Sequence, residues 1–316
     1  MKKDTGFLKG INFGGWMSQC DYSTDRLDHF ITESDFAKVA EWGFDHVRIP
    51  IDYNILQTED GGVIADGYER LANALALCKK YHLKLIIDLH KTAGFSFDTY
   101  AENESGFFEN EKYQERFYLL WEEMSRRFGR EADVAFELLN EVTDQEFIGA
   151  WNRIAKECIR RIRAIAPDIL ILVGSYWNNA ATTVKELDAP YDSRVIYNMH
   201  CYEPLVFTHQ GAYWTEKIDP EKRMAFEDSE TSEAYFEDLF SSAIEKADAE
   251  NTGLYCGEYG VISFVSPEDT LKWYRCINRV FEKHGIGRAL WNYKEMDFGL
   301  TDPRLDAVRG ELLQYC

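Results

Sequence analysis

Short apolar runs alternate with longer amphipathic stretches from one end of the chain to the other. Runs of strand length lie at residues 7–13, 46–49, 83–89, 134–140, 169–174, 195–199, 253–257 and 288–292. Between them, helical spacing of apolar positions predicts helices at 33–42, 68–81, 111–128, 146–166, 178–187, 232–249 and 267–284, with a closing turn near 306–314. Eight strands, each followed by a helix, specify an α/β fold of the (β/α)8 TIM-barrel type, a single domain over residues 1–316. A doubly wound open sheet would need a nucleotide fingerprint after its first strand, and Gly10-Ile-Asn-Phe-Gly-Gly-Trp16 is not GxGxxG. Only residues 203–251 exceed what one connecting helix needs. Their first half, about 203–230, carries Phe207, Tyr213, Trp214 and Pro220 and reads as a loop insertion at the active face.

Composition narrows the partners. Lys plus Arg number 35 against 55 Asp plus Glu, a net charge of −20 that repels a phosphate backbone and excludes nucleic acid. A neutral glycan is indifferent to that field, and the 18 Tyr, 20 Phe and 8 Trp offer flat apolar faces to sugar rings as well as core. No apolar run is long enough to span a membrane. The start, Met1-Lys-Lys-Asp4, lacks the apolar stretch of a secretory signal, which favours the cytoplasm unless a leader has been removed. Seven scattered cysteines, none in a CxxC pair, read as free thiols rather than as a disulfide framework or zinc site.

Two strand-end carboxylates carry the candidate chemistry. Glu141 closes the run that begins at Val134, and Glu258 sits in Leu254-Tyr-Cys-Gly-Glu258. Two carboxyls delivered to one pocket are the minimum equipment of a glycosidase: one protonates the departing sugar oxygen, the other attacks the anomeric carbon or activates water. A lone strand-end glutamate is as often a salt-bridge partner, but a pair at matching strand ends points to catalysis.

Around this pair stand motifs that resemble glycoside hydrolase family 5, the cellulase A group, and within it the bacterial endo-β-glucanases. They are Gly10-Ile-Asn-Phe-Gly-Gly-Trp16, His46-Val-Arg48-Ile-Pro50, Asp88-Leu-His90, Leu139-Asn-Glu141, His200-Cys-Tyr202, Gly257-Glu-Tyr-Gly260 and Trp291-Asn-Tyr293, each at the end of a predicted strand. The resemblance implies that Glu141 is the general acid/base and Glu258 the nucleophile, ionised and held by Arg48 and Tyr202. It further implies a retaining mechanism, for which the two carboxyls should stand about 5 Å apart. Asn140 should address the 2-hydroxyl of the sugar at the cleavage site. Strand alternation sends neighbours to opposite faces, so Asn140 and Glu141 can share the pocket only through a local distortion.

His90 and His200 are expected to orient groups rather than to shuttle protons or bind metal, since no third ligand of suitable spacing accompanies them. Trp291 should floor the sugar site. Trp16 and Trp177 follow strands one and five, where each would either stack an outer sugar or seal the barrel top; Tyr22 and His29 are lesser candidates. Two departures from the family pattern, Val142 after the acid and Lys91-Thr92 after the histidine, bear on the subsite walls. The resulting expectation is an endo-β-glucanase acting on β-1,4 bonds of soluble cellulose or mixed-linkage glucan, as a monomer without metal or cofactor. An exo-β-1,3-glucanase or a β-mannanase of the same mechanism is the alternative, and a non-catalytic glycan-binding barrel the more remote one.

Overall fold

The computed structural model describes residues 5–98 and 105–316. Eight parallel strands close into one barrel in sequential order. They are β1 (Lys9–Asn12), β2 (His46–Asp52), β3 (Lys84–Lys91), β4 (Val134–Glu137), β5 (Leu170–Gly174), β6 (Val195–Cys201), β7 (Leu254–Tyr259) and β8 (Gly287–Leu290).

Alternation along each strand divides the side chains between two environments. Val47, Ile49 and Ile51 of β2, Leu85, Ile87 and Leu89 of β3, and Tyr197 and Met199 of β6 point outward, into the large core shared with the helices. The intervening positions point into the barrel. Its lower half is filled by a second apolar cluster that includes Ile86, Ala135, Leu172, Ile196, Tyr255 and Ala289. One step further along the strands the inward residues turn polar, and Asn12, Arg48, Asp88, Glu137 and Asn198 are all fully buried there. This polar layer is the floor on which the mouth of the barrel is built.

Long helices cover the barrel at Glu33–Glu41, Ala65–Lys80, Glu111–Phe128, Ile148–Ile165, Glu233–Ala249 and Pro267–His284. The last coincides with its predicted bounds because Ser266 caps it and Pro267 takes the first turn, where no N–H is needed. Two predicted elements differ. Residues 178–187 do not form an α-helix: a short turn at Tyr176–Asn179 with left-handed backbone at Trp177 and Asn178 is followed by a 3-10 helix at Ala181–Glu186. The closing turn is a 3-10 segment at Pro303–Leu305 and a short helix at Arg309–Leu312. Strand ends also shift. β4 stops at Glu137 rather than 140, whereas β2, β3, β6 and β7 run on to Asp52, Lys91, Cys201 and Tyr259.

Residues 203–230 hold only a short helix at Leu205–Thr208 and a 3-10 turn at Phe226–Asp228. None of the seven cysteines is disulfide-bonded. No helix among the described residues is long and apolar enough to cross a membrane.

Candidate active site

Arg48, pointing inward from β2, organises the barrel mouth. Its Nε and Nη2 donate to the two carboxylate oxygens of Glu137 at 2.7 and 2.8 Å, a bidentate pair. Nη1 donates to Asn12 Oδ1 and to Glu258 Oε1, each at 2.8 Å. Nη2 also reaches Asn140 Oδ1 at 3.0 Å and Asp88 Oδ2 at 3.0 Å. Burial alone would lower the Arg48 pKa, but the surrounding carboxylates of Asp88, Glu137 and Glu258 overcome it and hold the guanidinium firmly charged.

Glu258 is turned into this layer by a bulge. Met199 pairs with Cys256 and His200 with Glu258, so Gly257 is passed over in the ladder. A Cβ at Gly257 would lie 2.9 Å from Asn198 Oδ1 and 3.0 Å from His200 Nε2, which is why the position needs glycine. Asn198 fixes the bulge by accepting from Gly257 N at 2.9 Å and donating to Glu137 at 2.8 Å. The second oxygen of Glu258 accepts from the Tyr202 hydroxyl at 2.9 Å.

Glu141 arrives by a different distortion. After β4 the chain stays extended, with Leu138 N donating to Leu172 O and Asn140 N to Leu89 O. Glu141 then adopts φ +35°, a left-handed conformation rare for a residue with a side chain. This twist brings Asn140 and Glu141 to the same pocket, the distortion that strand alternation demanded. Glu141 Oε1 meets His200 Nδ1 at 2.8 Å and Oε2 accepts from Asn178 Nδ2 at 2.9 Å. His200 also lies 3.7 Å from Glu258, between the two glutamates.

The pocket's apolar wall is Trp291. Its indole lies parallel to the His90 ring at 5.9 Å and covers Gly14, where a Cβ would come within 2.5 Å of the ring. Asn292 holds the Gly14 backbone from both sides, accepting from its N–H and donating to its carbonyl. His90 Nδ1 contacts Asp88 at 2.5 Å. Of the remaining candidates, Trp16 is buried with its indole N–H on Leu27 O, so it seals the barrel top. Trp177 is 55% exposed. Tyr22 bonds the buried Asp52, whereas His29 is an exposed partner of Asp25.

Burial dominates the electrostatics. It pushes both Glu141 and Glu258 above the ordinary carboxyl range. What opposes the rise differs: chiefly the Asn178 amide at Glu141, and at Glu258 His200 when protonated and the Arg48 guanidinium. Burial lowers His90 and His200 to about 4, so both are neutral imidazoles near neutral pH. Burial likewise lifts Asp88 to about 7, with Arg48 opposing. Oxygen atoms of Glu141 and Glu258 and a nitrogen of His200 lie within 4.8 Å of one another. Atoms so close are able to share a cation, but the donors already on both Glu141 oxygens suit proton chemistry better.

Several members of this constellation escaped the reading of the sequence. Glu137, not Glu258, is the bidentate partner of Arg48, and Asn12, Asn198 and Asn178 complete the hydrogen bonding. A polar residue at an inward strand position was the available signal for Glu137, Asn12 and Asn198. None existed for Asn178, whose segment reads as helix.

A closed (β/α)8 barrel with two buried glutamates at its mouth, an arginine beneath them and a tryptophan wall has the make-up of a glycoside hydrolase. The sequence profile of the cellulase family, glycosyl hydrolase family 5, matches residues 7–297, and the chain belongs to that family. It is 66% identical over 289 residues to cellodextrinase A of Ruminococcus flavefaciens, covering 91% of this chain and 86% of that one. Endoglucanase C of Acetivibrio thermocellus is 35% identical, with 97% of each chain covered. Among solved structures, a hyperthermophilic endo-β-1,4-glucanase in complex with substrate superposes with a TM-score of 0.81 at 25% identity, over 95% of this chain and 93% of that one.

Proposed function

We propose that the protein hydrolyses internal β-1,4-glucosidic bonds of soluble cellulose or mixed-linkage β-1,3-1,4-glucan by retaining double displacement. The observation that supports the mechanism is the closeness of the two glutamates, one carboxylate oxygen of Glu141 lying within 4.8 Å of one of Glu258. Retaining enzymes hold their carboxyls about 5–5.5 Å apart, whereas inversion needs about 6.5–9.5 Å to admit water. Glu258, with a guanidinium and a phenol on its oxygens, is held as an anion and attacks the anomeric carbon. Glu141, raised by burial, gives its proton to the departing oxygen. It then takes a proton from the water that displaces Glu258. The Asn140 Nδ2 group is buried with no partner among the described residues, which supports a role in binding the sugar 2-hydroxyl.

Incubation with barley glucan, carboxymethylcellulose, laminarin and mannan should lower the viscosity of the first two before reducing ends accumulate, and the first-formed product should be the β-anomer by NMR. An α-product would overturn double displacement. Activity confined to laminarin or mannan would replace the substrate, and silence on all four polymers and on short cello-oligosaccharides would leave a glycan-binding barrel. The kinship with a cellodextrinase favours a second reading of the same mechanism, in which short cello-oligosaccharides are preferred. A higher kcat/KM on cellotetraose than on polymer, without the viscosity drop, would select it.

The acid has its own signature. Glu141→Ala should cost about 10²- to 10⁴-fold on cello-oligosaccharides, the usual contribution of general acid catalysis. Aryl cellobiosides with good leaving groups need no proton and should lose far less in the glycosylation step. Equal losses on both would contradict the assignment.

A further inference from the structure

We propose that Asn178 is a positioning residue for the acid/base, holding the Glu141 carboxyl through Oε2 and setting how readily it gives up and regains its proton. The inference rests on the reading of Glu141 as the acid/base. Asn178 belongs to the segment after β5 where a helix was expected, and the reason that helix is missing is instructive. Trp177, Asn178 and Asn179 take φ of +52°, +57° and +57°, three successive residues in left-handed backbone. Asparagine tolerates that region better than most side chains, but each such residue still carries a cost that surrounding structure must offset.

The offset comes from the acid's own loop. Trp177 N donates to Thr143 O at 3.2 Å and Asn178 N to Val142 O at 3.0 Å, the two residues directly after Glu141. Glu141 itself has positive φ. Two distorted segments thus brace each other across the gap between β4 and β5, and the bond that closes the brace is Asn178 Nδ2 to Glu141 Oε2 at 2.9 Å.

The chemistry around Glu141 gives that bond its consequence. His200 Nδ1 lies 2.8 Å from Glu141 Oε1, and the tautomer with its proton on Nδ1 donates there. Both oxygens of the acid therefore face donors, and donors favour the carboxylate. The carboxylate is what Glu141 becomes as the C–O bond breaks and the leaving oxygen takes its proton. It is also the base required when water adds and Glu258 departs. Burial pulls the other way. The charged and titratable groups around the acid are Arg48 from β2, Asp88 and His90 from β3, Asp98 from the following loop, His200 from β6, Tyr202 after β6 and Glu258 from β7. With these groups in place, the loss of the Asn178 amide leaves burial less opposed and the pKa of Glu141 should rise.

The test compares pH profiles of kcat/KM for 4-nitrophenyl and 2,4-dinitrophenyl β-cellobioside. Asn178→Gly keeps the left-handed backbone at ease while removing the donor. Asn178→Asp keeps the shape but sets a carboxylate against the acid. The basic limb, which reports the acid in the free enzyme, should move up by about half a pH unit in the glycine variant and further in the aspartate variant. The preference for the dinitrophenyl leaving group should grow about tenfold. An unmoved limb with a raised KM would make Asn178 a substrate contact, and a uniform loss on both glycosides would make it structural; either overturns the proposal. Glu141→Ala, run alongside, separates the layers. If that variant shows leaving-group dependence while the Asn178 variants leave the limb in place, this inference fails alone; if it does not, the acid assignment has failed first.

Discussion

Glu258→Ala should be inactive yet folded, with turnover reduced roughly 10⁵- to 10⁶-fold, the scale on which hydrolases lose activity with their nucleophile. The fold should survive because Glu258 is not the principal anchor of Arg48: the guanidinium keeps both oxygens of Glu137, together with Asp88, Asn12 and Asn140. Removing a buried carboxyl whose pKa is already raised also removes a desolvation cost. The space left is bordered by Arg48 and the Tyr202 hydroxyl, a fit for a small anion. Azide or formate should therefore restore turnover of an activated aryl cellobioside. With azide the product should be the α-glycosyl azide, inverted because one displacement replaces two. Activity above about 1% without an added anion, or a β-configured rescue product, would show that another group makes the attack.

How much of this was legible in the sequence follows from which physical signal each residue carries. The barrel was, because short apolar runs separated by stretches of helical spacing have few other solutions. Inward polar residues such as Arg48, Asp88, Glu137 and Asn198 break the apolar pattern at a fixed step along their strands, and that step marks the polar layer. Glu137 carries the weaker signal because Glu141, closing the same apolar run, is the carboxylate that a strand-end position singles out. The distortion at Glu141 could be demanded from alternation but not located, since nothing local to Leu139-Asn-Glu141 encodes positive φ. Asn178 was illegible for the complementary reason: its conformation is held by hydrogen bonds that the Trp177 and Asn178 N–H groups donate to the carbonyls of Thr143 and Val142, distant in sequence. Strand ends were misplaced where ladder pairing outlasts the apolar run, and at β4 where the apolar run outlasts the ladder. Pro50 pairs with Asp88 and the ladder continues beyond it, past the 46–49 run.

The Arg48 hub makes the second large prediction, on stability as well as activity. Arg48→Met keeps the length of the side chain and removes its charge, leaving Glu137, Asp88 and Glu258 as buried carboxylates that have lost their common cation. Breaking such a pair from one side costs about 3–5 kcal/mol. At about 2–4 °C per kcal/mol for chains of somewhat smaller size, the melting temperature should fall by roughly 10 °C. The loss should also depend on pH in a definite direction. Burial raises Asp88 to about 7 and lifts Glu137 above its usual 4.5 even with the guanidinium present. Without it, the folded-state values climb further while the unfolded values stay put. Groups whose folded pKa is raised contribute stability that is complete below the unfolded pKa and disappears as pH rises through the folded one. The deficit of the variant against the wild type should then be small near pH 4 and widen through neutrality. Thermal unfolding at pH 4.5 and pH 8 measures the difference, and Arg48→Met combined with Glu137→Gln should recover part of it at the higher pH. A deficit equal at both values would mean that Arg48 acts by packing rather than by charge, and the polar layer beneath the two glutamates would need another account.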